Sequence, residues 1–310
     1  MQTPIPKVSI CIPVRNGEKF ISQAIKSALN QTYENYEIIV IDNASTDGTV
    51  KLVSNFFSGS GVVRLFQNHE NIGLVRNFNA CLQHARGEYI KFLCADDLIS
   101  TTCIDKMVKA LDENLSCTLV VSQCYMIDGD GLNISLRGDL GRKKKLLGEY
   151  VINRCLFGTN YIGEPSSVMF RRQQASRGFR SEFAHLMDLE MWFYLLEQGD
   201  LYNISEPLCS IRRHQEQMTM QSIKSGALIE DNINIYDEYE RKPYVNHCWI
   251  NIVERKVRIS YRTWICRGSL DDARINEILV KHSYPFFYYY VLPVLLRILN
   301  LFHIKRFIFT

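Results

Sequence analysis

Residues 8–17 read Val-Ser-Ile-Cys-Ile-Pro-Val-Arg-Asn-Gly. The apolar, β-branched start of this stretch stops at a proline, which predicts a short buried strand over residues 7–13. The following residues, 17–30, place apolar side chains at helical spacing. A buried strand that runs at once into a helix is typical of a sheet whose strands are joined by helical crossovers.

The same alternation continues along the chain. Further strands are predicted at residues 36–41, 62–66, 89–94 and 117–127, and helices at about 46–57, 74–85 and 102–112. The pattern predicts an α/β fold, with a mostly parallel sheet flanked by helices on both faces. Ligands of such sheets bind outside the carboxyl ends of the strands. The polar strand ends at residues 13–16, 42–43 and 95–97 are therefore expected to face one crevice.

The second half of the chain is less regular. Helices are predicted at residues 150–157 and 185–198, strands at 166–170 and 208–211, and a mainly helical stretch from 215 to 279. We therefore predict a catalytic domain over residues 1–215 and a helical C-terminal extension over residues 216–310.

Composition narrows the class of protein. A 310-residue chain that is 46% hydrophobic and 22% charged should have a packed core. Its net charge of +3 is too small for a dedicated nucleic-acid binder. The ten cysteines contain no C-x-x-C pair, and the N-terminus does not resemble a signal peptide. Reduced cysteines favour the cytosol.

Asp96 and Asp97 end a predicted apolar strand. Adjacent carboxylates repel each other, and a divalent cation that joins them to a diphosphate would relieve that repulsion. The other interpretation is a helix cap, since aspartate is also favoured there. Taken alone, the pair does not decide between them.

Five segments in order resemble a known family. They are residues 8–17, Ala-Leu-Asn-Gln-Thr-Tyr at 28–33, Glu-Ile-Ile-Val-Ile-Asp-Asn-Ala-Ser-Thr-Asp-Gly-Thr at 37–49, Asn-Ile-Gly-Leu with Arg-Asn at 71–77, and Gly-Glu-Tyr-Ile leading to Ala-Asp-Asp at 87–97. Together they resemble the inverting glycosyltransferases of family 2, which have the Rossmann-like GT-A fold. The likeness extends over about residues 7–215.

The resemblance implies a set of site residues. Asp188 stands at the position of the family's catalytic base. Asp96, Asp97 and His214 stand at positions that would bind the divalent cation, Mn²⁺ or Mg²⁺. The nucleotide-sugar would be bound by Pro13, Val14, Arg15, Asn16, Asp42, Asn43, Arg76 and Asp96. The acceptor side would contain Glu164, Pro165, Ser166, Glu190 and Trp192.

Three positions depart from the family pattern. Cys94 stands where the first acid of the D-x-D stretch is usual, so the metal and ribose roles rest on Asp96 and Asp97 and cannot be divided from sequence. Asn43 replaces a common second acid, although its amide oxygen can accept a proton from a pyrimidine ring nitrogen. Arg15 replaces a frequent aromatic residue, and its planar guanidinium can stack on a base.

Several alternatives stay open. Asp188 could be a structural helix residue paired with Arg180, with Glu190 as the rival base, and His214 could be a packed core histidine. The expected activity is metal-assisted sugar transfer to an acceptor hydroxyl with inversion, in assembly of a cell-surface polysaccharide or lipopolysaccharide. Rival functions are a catalytically silent nucleotide-binding module and a nucleotidyltransferase.

The C-terminal tail, residues 284–304, is apolar and rich in tyrosine. Charged residues and two prolines interrupt it, which favours a segment lying in a membrane interface over a spanning helix. Packing on the protein or in a dimer is the other interpretation. The expected partners are a nucleotide-sugar, with UDP favoured, a saccharide or lipid-linked acceptor and a membrane surface. The expected location is the cytoplasm, at the inner face of the plasma membrane.

Overall fold

The computed structural model describes residues 5–57, 61–138, 140–141, 143–214, 225–266, 275 and 277–278. In this part of the chain the strands β1 to β10 are Val8–Val14, Tyr36–Asp42, Val63–Gln67, Tyr89–Phe92, Leu98–Ile99, Cys117–Ile127, Asn133–Arg137, Lys145–Leu146, Val168–Arg171 and Asp200–Arg212. The helices α1 to α8 are Ile21–Leu29, Thr49–Phe57, Leu74–His84, Cys103–Asp112, Gly148–Phe157, Met187–Leu196, Ala227–Tyr239 and Trp249–Cys266.

The strands form one sheet in the order β3-β2-β1-β4-β9-β6-β10-β5, with β7 paired to β6 and β8 paired to β10. The first four positions, β3-β2-β1-β4, are parallel, as the strand–helix alternation predicts. β9 then lies antiparallel between β4 and β6, while β6 and β10 are parallel. The sheet is therefore parallel in its first half and mixed in its second.

Helices cover both faces of this sheet. Ile10 and Ile12 of β1 belong to a buried cluster that includes Ile25 of α1 and Met107 of α4. The intervening Cys11 faces the other way, because its thiol contacts the Cys81 carbonyl of α3. A strand that is buried on both faces has a nearly continuous apolar sequence. This is why apolar and polar residues do not alternate along β1 and β2.

The largest difference between the predicted and the observed strands is the length of β10. A strand was predicted at residues 208–211, but β10 begins at Asp200. The register with β6 shifts on both sides of Pro207. Proline cannot donate a hydrogen bond to a neighbouring strand, so it is found mainly at sheet edges or bulges. Because Glu206-Pro207 lies in the middle of β10, sequence analysis did not predict that the strand extends through it.

The chain divides into two compact units. The first contains residues 1–152, 160–182 and 187–214, and the second contains residues 153–159, 183–186 and 215–310. In the second unit Ile229, Ile233 and Ile259 pack together, and the ring of Phe157 meets that of Tyr236 at 5.9 Å. The predicted domain boundary between residues 215 and 216 lies outside the described residues and stays a prediction.

Within the described residues, no helix has the length and apolar character needed to cross a membrane. The apolar tail at residues 284–304 lies outside them.

Candidate active site

The loops that follow β1 and β2 are tied to each other. The Asn16 amide donates to the Ser45 hydroxyl at 2.8 Å, and the Asn16 side-chain oxygen accepts from the Thr46 amide at 2.8 Å. Both loops contain a left-handed residue, Asn16 with φ 51° and Ala44 with φ 54°. That conformation costs a non-glycine residue about 1–2 kcal/mol. The cross-loop hydrogen bonds offset this cost and hold the two strand ends together.

Asp42 ends β2 and is 2% exposed. Its Oδ2 accepts a hydrogen bond from the Ser45 amide at 3.1 Å, while Oδ1 is buried and has no partner among the described residues. A buried carboxylate oxygen without a donor is costly. Pro13 and Val14 are buried in the adjacent β1, and Arg15 is exposed just beyond them.

The Asn43 side chain is already occupied by the protein. Its Oδ1 accepts hydrogen bonds from the Ile72 amide at 3.0 Å and from Asn68 Nδ2 at 3.1 Å. Its Nδ2 donates to Asn71 Oδ1 at 2.8 Å. The structure therefore disagrees with the expectation that this amide oxygen accepts from a pyrimidine. Arg76 lies on the first turn of α3, next to this group, and is exposed.

Asp96 and His214 meet across 118 residues of sequence. His214 Nε2 lies 3.0 Å from Asp96 Oδ2, and the two side chains are 19% and 27% exposed. The imidazole also packs on Phe20, with ring centroids 5.3 Å apart. The loop after β4 and the end of β10 thus present one carboxylate and one imidazole nitrogen to the same partly open space.

Asp97, unlike Asp96, is almost fully buried, with 2% of its surface exposed. Its Oδ1 accepts the Arg212 amide at 2.9 Å, and its carboxylate also accepts from the Ser166 hydroxyl. Burial, followed by the charge of Asp96, holds the pKa of Asp97 well above its usual range. The two adjacent carboxylates therefore occupy different environments.

Asp188 lies in the first turn of α6 and is half-buried. Its Oδ1 accepts the Leu189 amide at 2.7 Å. Burial, and then the charges of Asp97, Asp96 and Asp188, hold the pKa of the Cys94 thiol well above its usual range. The charges of Asp96, Asp97 and Asp188 thus all act on the Cys94 thiol.

Known proteins share both the sequence pattern and the fold. The Glycosyl transferase family 2 model matches residues 9–179, more than half of the chain. The chain belongs to glycosyl transferase family 2. This glycosyltransferase is 27% identical over 285 residues to the putative glycosyltransferase EpsE of Bacillus subtilis (strain 168), covering 90% of this chain and 99% of EpsE.

Two further similarities support the same assignment. The putative teichuronic acid biosynthesis glycosyltransferase TuaG of Bacillus subtilis (strain 168) is 24% identical over 266 residues, which cover 83% of this chain and 98% of TuaG. The crystal structure of S. aureus TarS 1-349 in complex with UDP-GlcNAc matches the fold with a TM-score of 0.59 at 18% identity, covering 91% of this chain and 72% of that one. The α/β fold of the chain is thus the GT-A fold that the sequence predicted.

The predicted acceptor side of the glycosyltransferase contains an ion-pair cluster. Glu164 Oε1 accepts hydrogen bonds from Arg213 at 2.9 Å and from Arg137 at 3.1 Å. Pro165 begins the short 3-10 helix Pro165–Ser167. The Ser166 hydroxyl accepts a hydrogen bond from the Cys94 amide at 2.8 Å. It therefore points toward the loop that carries Asp96 and Asp97 rather than outward.

Glu190 and Trp192 are both 0% exposed, which removes them from direct contact with an acceptor in this structure. Glu190 forms a bidentate ion pair with Arg177, with N–O distances of 2.8 and 2.6 Å. Trp192 Nε1 donates to the Gly163 carbonyl at 3.2 Å, and its ring packs on Phe170. Both belong to the core behind the site. Of the two acids that open α6, only Asp188 is accessible.

Arg212 is the residue of the site that sequence reasoning missed. The side chain is 1% exposed, and it donates to the carbonyls of Asp96, Asp128 and Gly129 and to Gln23 Oε1, each at 2.9–3.0 Å. The hydrogen bond to the Asp96 carbonyl holds the backbone of the loop that carries Asp96 and Asp97 in place. Arg212 lies two residues before the predicted ligand His214, which is a reason to include it among the candidate site residues. Its hydrogen-bond partners could not be predicted, because they lie far away along the sequence.

Proposed function

We propose that this glycosyltransferase transfers a sugar from a nucleoside-diphospho-sugar, UDP-linked in the first instance, to an acceptor hydroxyl with inversion. The acceptor is a saccharide or lipid-linked saccharide in the assembly of a cell-surface polysaccharide. The observation that carries the proposal is the partly exposed Asp96–His214 pair, which lies next to buried Asp97. Asp188, half-buried at the start of α6, is the accessible acid proposed as the base. The name of TuaG supports the acceptor class and the TarS complex supports the donor class.

The proposed donor site lies at the ends of β1 and β2. Asp42 Oδ1 lacks a partner among the described residues, and an N–H of a nucleobase is a group that would satisfy it. Arg15 directly follows β1, Arg76 lies in the first turn of α3, and both are exposed cations. A guanidinium can stack on a base or bind phosphate oxygens through two hydrogen bonds. We assign base recognition to Asp42 and Arg15, and phosphate or ribose contact to Arg76.

Asp96 and His214 fit a divalent cation. Asp96 Oδ2 and His214 Nε2 lie 3.0 Å apart, and a carboxylate oxygen and an imidazole nitrogen are both ligand types that would hold such an ion. Within the described part of the chain, no cluster of three or more His, Cys, Asp and Glu is available for a metal. Diphosphate oxygens and water would complete the shell. Bound Mn²⁺ or Mg²⁺ would stabilise charge on the departing diphosphate.

Asp97 has a different role in this proposal. Its carboxylate is taken by the Arg212 amide and the Ser166 hydroxyl, and it faces the core. It therefore positions the loop that carries Asp96 instead of binding the cation. This divides two roles that the sequence left together.

The proposed reaction is a single displacement. Asp188 accepts the proton of the acceptor hydroxyl as its oxygen attacks the anomeric carbon, and the bond from that carbon to the diphosphate breaks with its electrons going to the diphosphate. Attack opposite the leaving group gives inversion. A positioned base contributes typically about 10²–10⁴ to the rate. Glu190 cannot take this role while both of its oxygens are bound by Arg177.

The test is release of nucleoside diphosphate from a panel of UDP-, dTDP- and GDP-sugars, with Mn²⁺, with Mg²⁺ and with chelator. We expect one donor to turn over only with metal, and turnover to be lost in Asp96→Ala. Asp105→Ala is the matched control, because Asp105 is an exposed carboxylate on α4, away from the site. Equal loss in both variants contradicts the assignment of Asp96.

The rivals give other results. Binding of a nucleotide without turnover of any donor, even with lipid-linked acceptors present, supports a catalytically silent binding module. Release of pyrophosphate from a nucleoside triphosphate supports a nucleotidyltransferase. Association with the inner face of the plasma membrane stays part of the proposal, and it is tested by fractionating cells that express the chain with and without residues 284–310.

A further inference from the structure

Four asparagine side chains form a continuous series of hydrogen bonds beside the proposed donor site. Asn43 directly follows β2, Asn68 and Asn71 lie in the loop after β3, and Asn77 lies in α3. Asn68 Nδ2 donates both to Asn43 Oδ1 at 3.1 Å and to Asn77 Oδ1 at 3.0 Å. Asn43 Nδ2 donates to Asn71 Oδ1 at 2.8 Å. We call this group the asparagine network.

Backbone groups fix the orientation of the Asn43 and Asn77 amides. The Ile72 amide can only donate, so it faces Asn43 Oδ1, and the Gly73 carbonyl can only accept, so it faces Asn43 Nδ2. The Ile41 carbonyl likewise selects Asn77 Nδ2, at 3.2 Å. Flipping any of these amides would set two donors or two acceptors against each other. The network therefore has one arrangement.

The network joins the two elements that carry the donor-binding residues. On one side, Asn43 and the Ile41 carbonyl flank Asp42, whose own carbonyl accepts the Asn68 amide at 2.8 Å. On the other side, Asn77 is the immediate neighbour of Arg76 in the sequence, and Gly73, with φ 85°, is the cap residue just before α3. Asn43 and Asn77 are each only 3% exposed. Hydrogen bonds among buried polar side chains are strong and hold their partners in one geometry.

We propose that the asparagine network is a positioning device that sets the distance between the Asp42 carboxylate and the Arg76 guanidinium, and so determines affinity for the nucleoside diphosphate. The inference rests on the proposed function, because it takes these two side chains as donor contacts. It also explains why an asparagine stands at position 43. An aspartate there could not donate to Asn71 Oδ1 or to the Gly73 carbonyl, and its charge would face two acceptors.

Two variants test the proposal. Asn77→Asp is nearly isosteric and replaces the donor to the Ile41 carbonyl with an acceptor. Asn71→Ala removes an exposed side chain, so it should fold even if the buried variant does not. Binding of UDP with Mn²⁺ is measured by calorimetry. We expect the dissociation constant to rise about tenfold in each, which equals about 1.4 kcal/mol. The donor KM should rise similarly, with kcat nearly unchanged.

The matched control is Asn79→Asp. Asn79 lies on the same helix and also makes two hydrogen bonds to distant backbone, from Nδ2 to the Phe179 carbonyl at 2.8 Å and to Oδ1 from the Phe179 amide at 2.7 Å. It has no link to the network. We expect Asn79→Asp to lower the melting temperature without weakening UDP binding.

The outcomes separate the two proposals. Wild-type chain that binds UDP, with Asn71→Ala and Asn77→Asp binding it equally well, overturns the positioning role alone. Equal weakening in Asn79→Asp also overturns it, because the effect would then be a general loss of stability. Wild-type chain that binds no nucleoside diphosphate overturns the proposed function together with the inference.

Discussion

The pair formed by Arg177 and Glu190 allows a sharp prediction, because its two partners differ in burial. Glu190 is 0% exposed, whereas the Arg177 side chain is 29% exposed and lies over the Tyr194 ring at 4.0 Å. Removing the arginine leaves a carboxylate in the core. Removing the charge of the glutamate leaves a guanidinium that can turn toward water. Arg177→Met should therefore destabilise the chain more than Glu190→Gln.

The magnitudes follow from these contacts. Breaking a buried pair by deleting one partner costs about 3–5 kcal/mol. Arg180 Nη1 lies 3.4 Å from Glu190 Oε1 and remains after Arg177→Met, so we expect the lower end, about 3 kcal/mol. Glu190→Gln keeps one acceptor for Arg177 and loses one charge-assisted hydrogen bond, which costs about 1.5 kcal/mol. The double variant should be more stable than Arg177→Met alone.

Urea denaturation of the four proteins gives the free energies and the coupling between the two sites. Activity is measured below the unfolding transition of every variant. We expect Glu190→Gln to keep kcat within about tenfold of wild type, and Asp188→Asn to lose about 10²–10⁴, the usual range for a general base. Glu190→Gln that unfolds more easily than Arg177→Met would refute the reasoning from burial. Equal loss of kcat in the two acid variants would refute the choice of Asp188.

Two further predictions concern the pH dependence of stability, and both are measured by urea denaturation between pH 3 and pH 8. Burial would raise the pKa of Glu37, but hydrogen bonds from Arg86, Ser9 and Arg64 outweigh it and lower that pKa. The stabilisation is therefore present above the ordinary glutamate pKa of about 4.3 and is lost as the pH falls through the lower folded value. The stability gap between wild type and Glu37→Gln should be widest near neutral pH and narrow below pH 4, and a gap independent of pH would contradict the assignment. Asp231 behaves oppositely, because burial raises its pKa in spite of hydrogen bonds from the Leu186 and His185 amides. Wild-type stability should fall as the pH rises from the ordinary aspartate pKa of about 3.9 through the raised value. Asp231→Asn should therefore gain relative to wild type toward pH 7, and a relative loss there would count against a raised pKa.

Much of the fold was predictable from local pattern. Apolar runs such as Val8–Val14 and Tyr36–Asp42 are too short for helices and are bounded by turn residues, so strands were the natural prediction. The strands that sequence analysis missed are short or polar. Asn133–Arg137 is exposed along its whole length, and Leu98–Ile99 has only two residues. Such segments pair only because a neighbouring strand is already in place.

The sequence by itself determined the fold class and the family and predicted most of the candidate site residues, since these depend on residue types and on spacing along the chain. The roles of neighbouring residues depended on the tertiary structure. Asp96 and Asp97 are adjacent, yet one meets His214 and the other accepts the Arg212 amide, partners more than 110 residues away. Asp188 and Glu190 are two positions apart on one helix, which turns them to different sides. Whether a carboxylate meets solvent or an arginine is decided by what packs against it, and that is set only when distant segments come together.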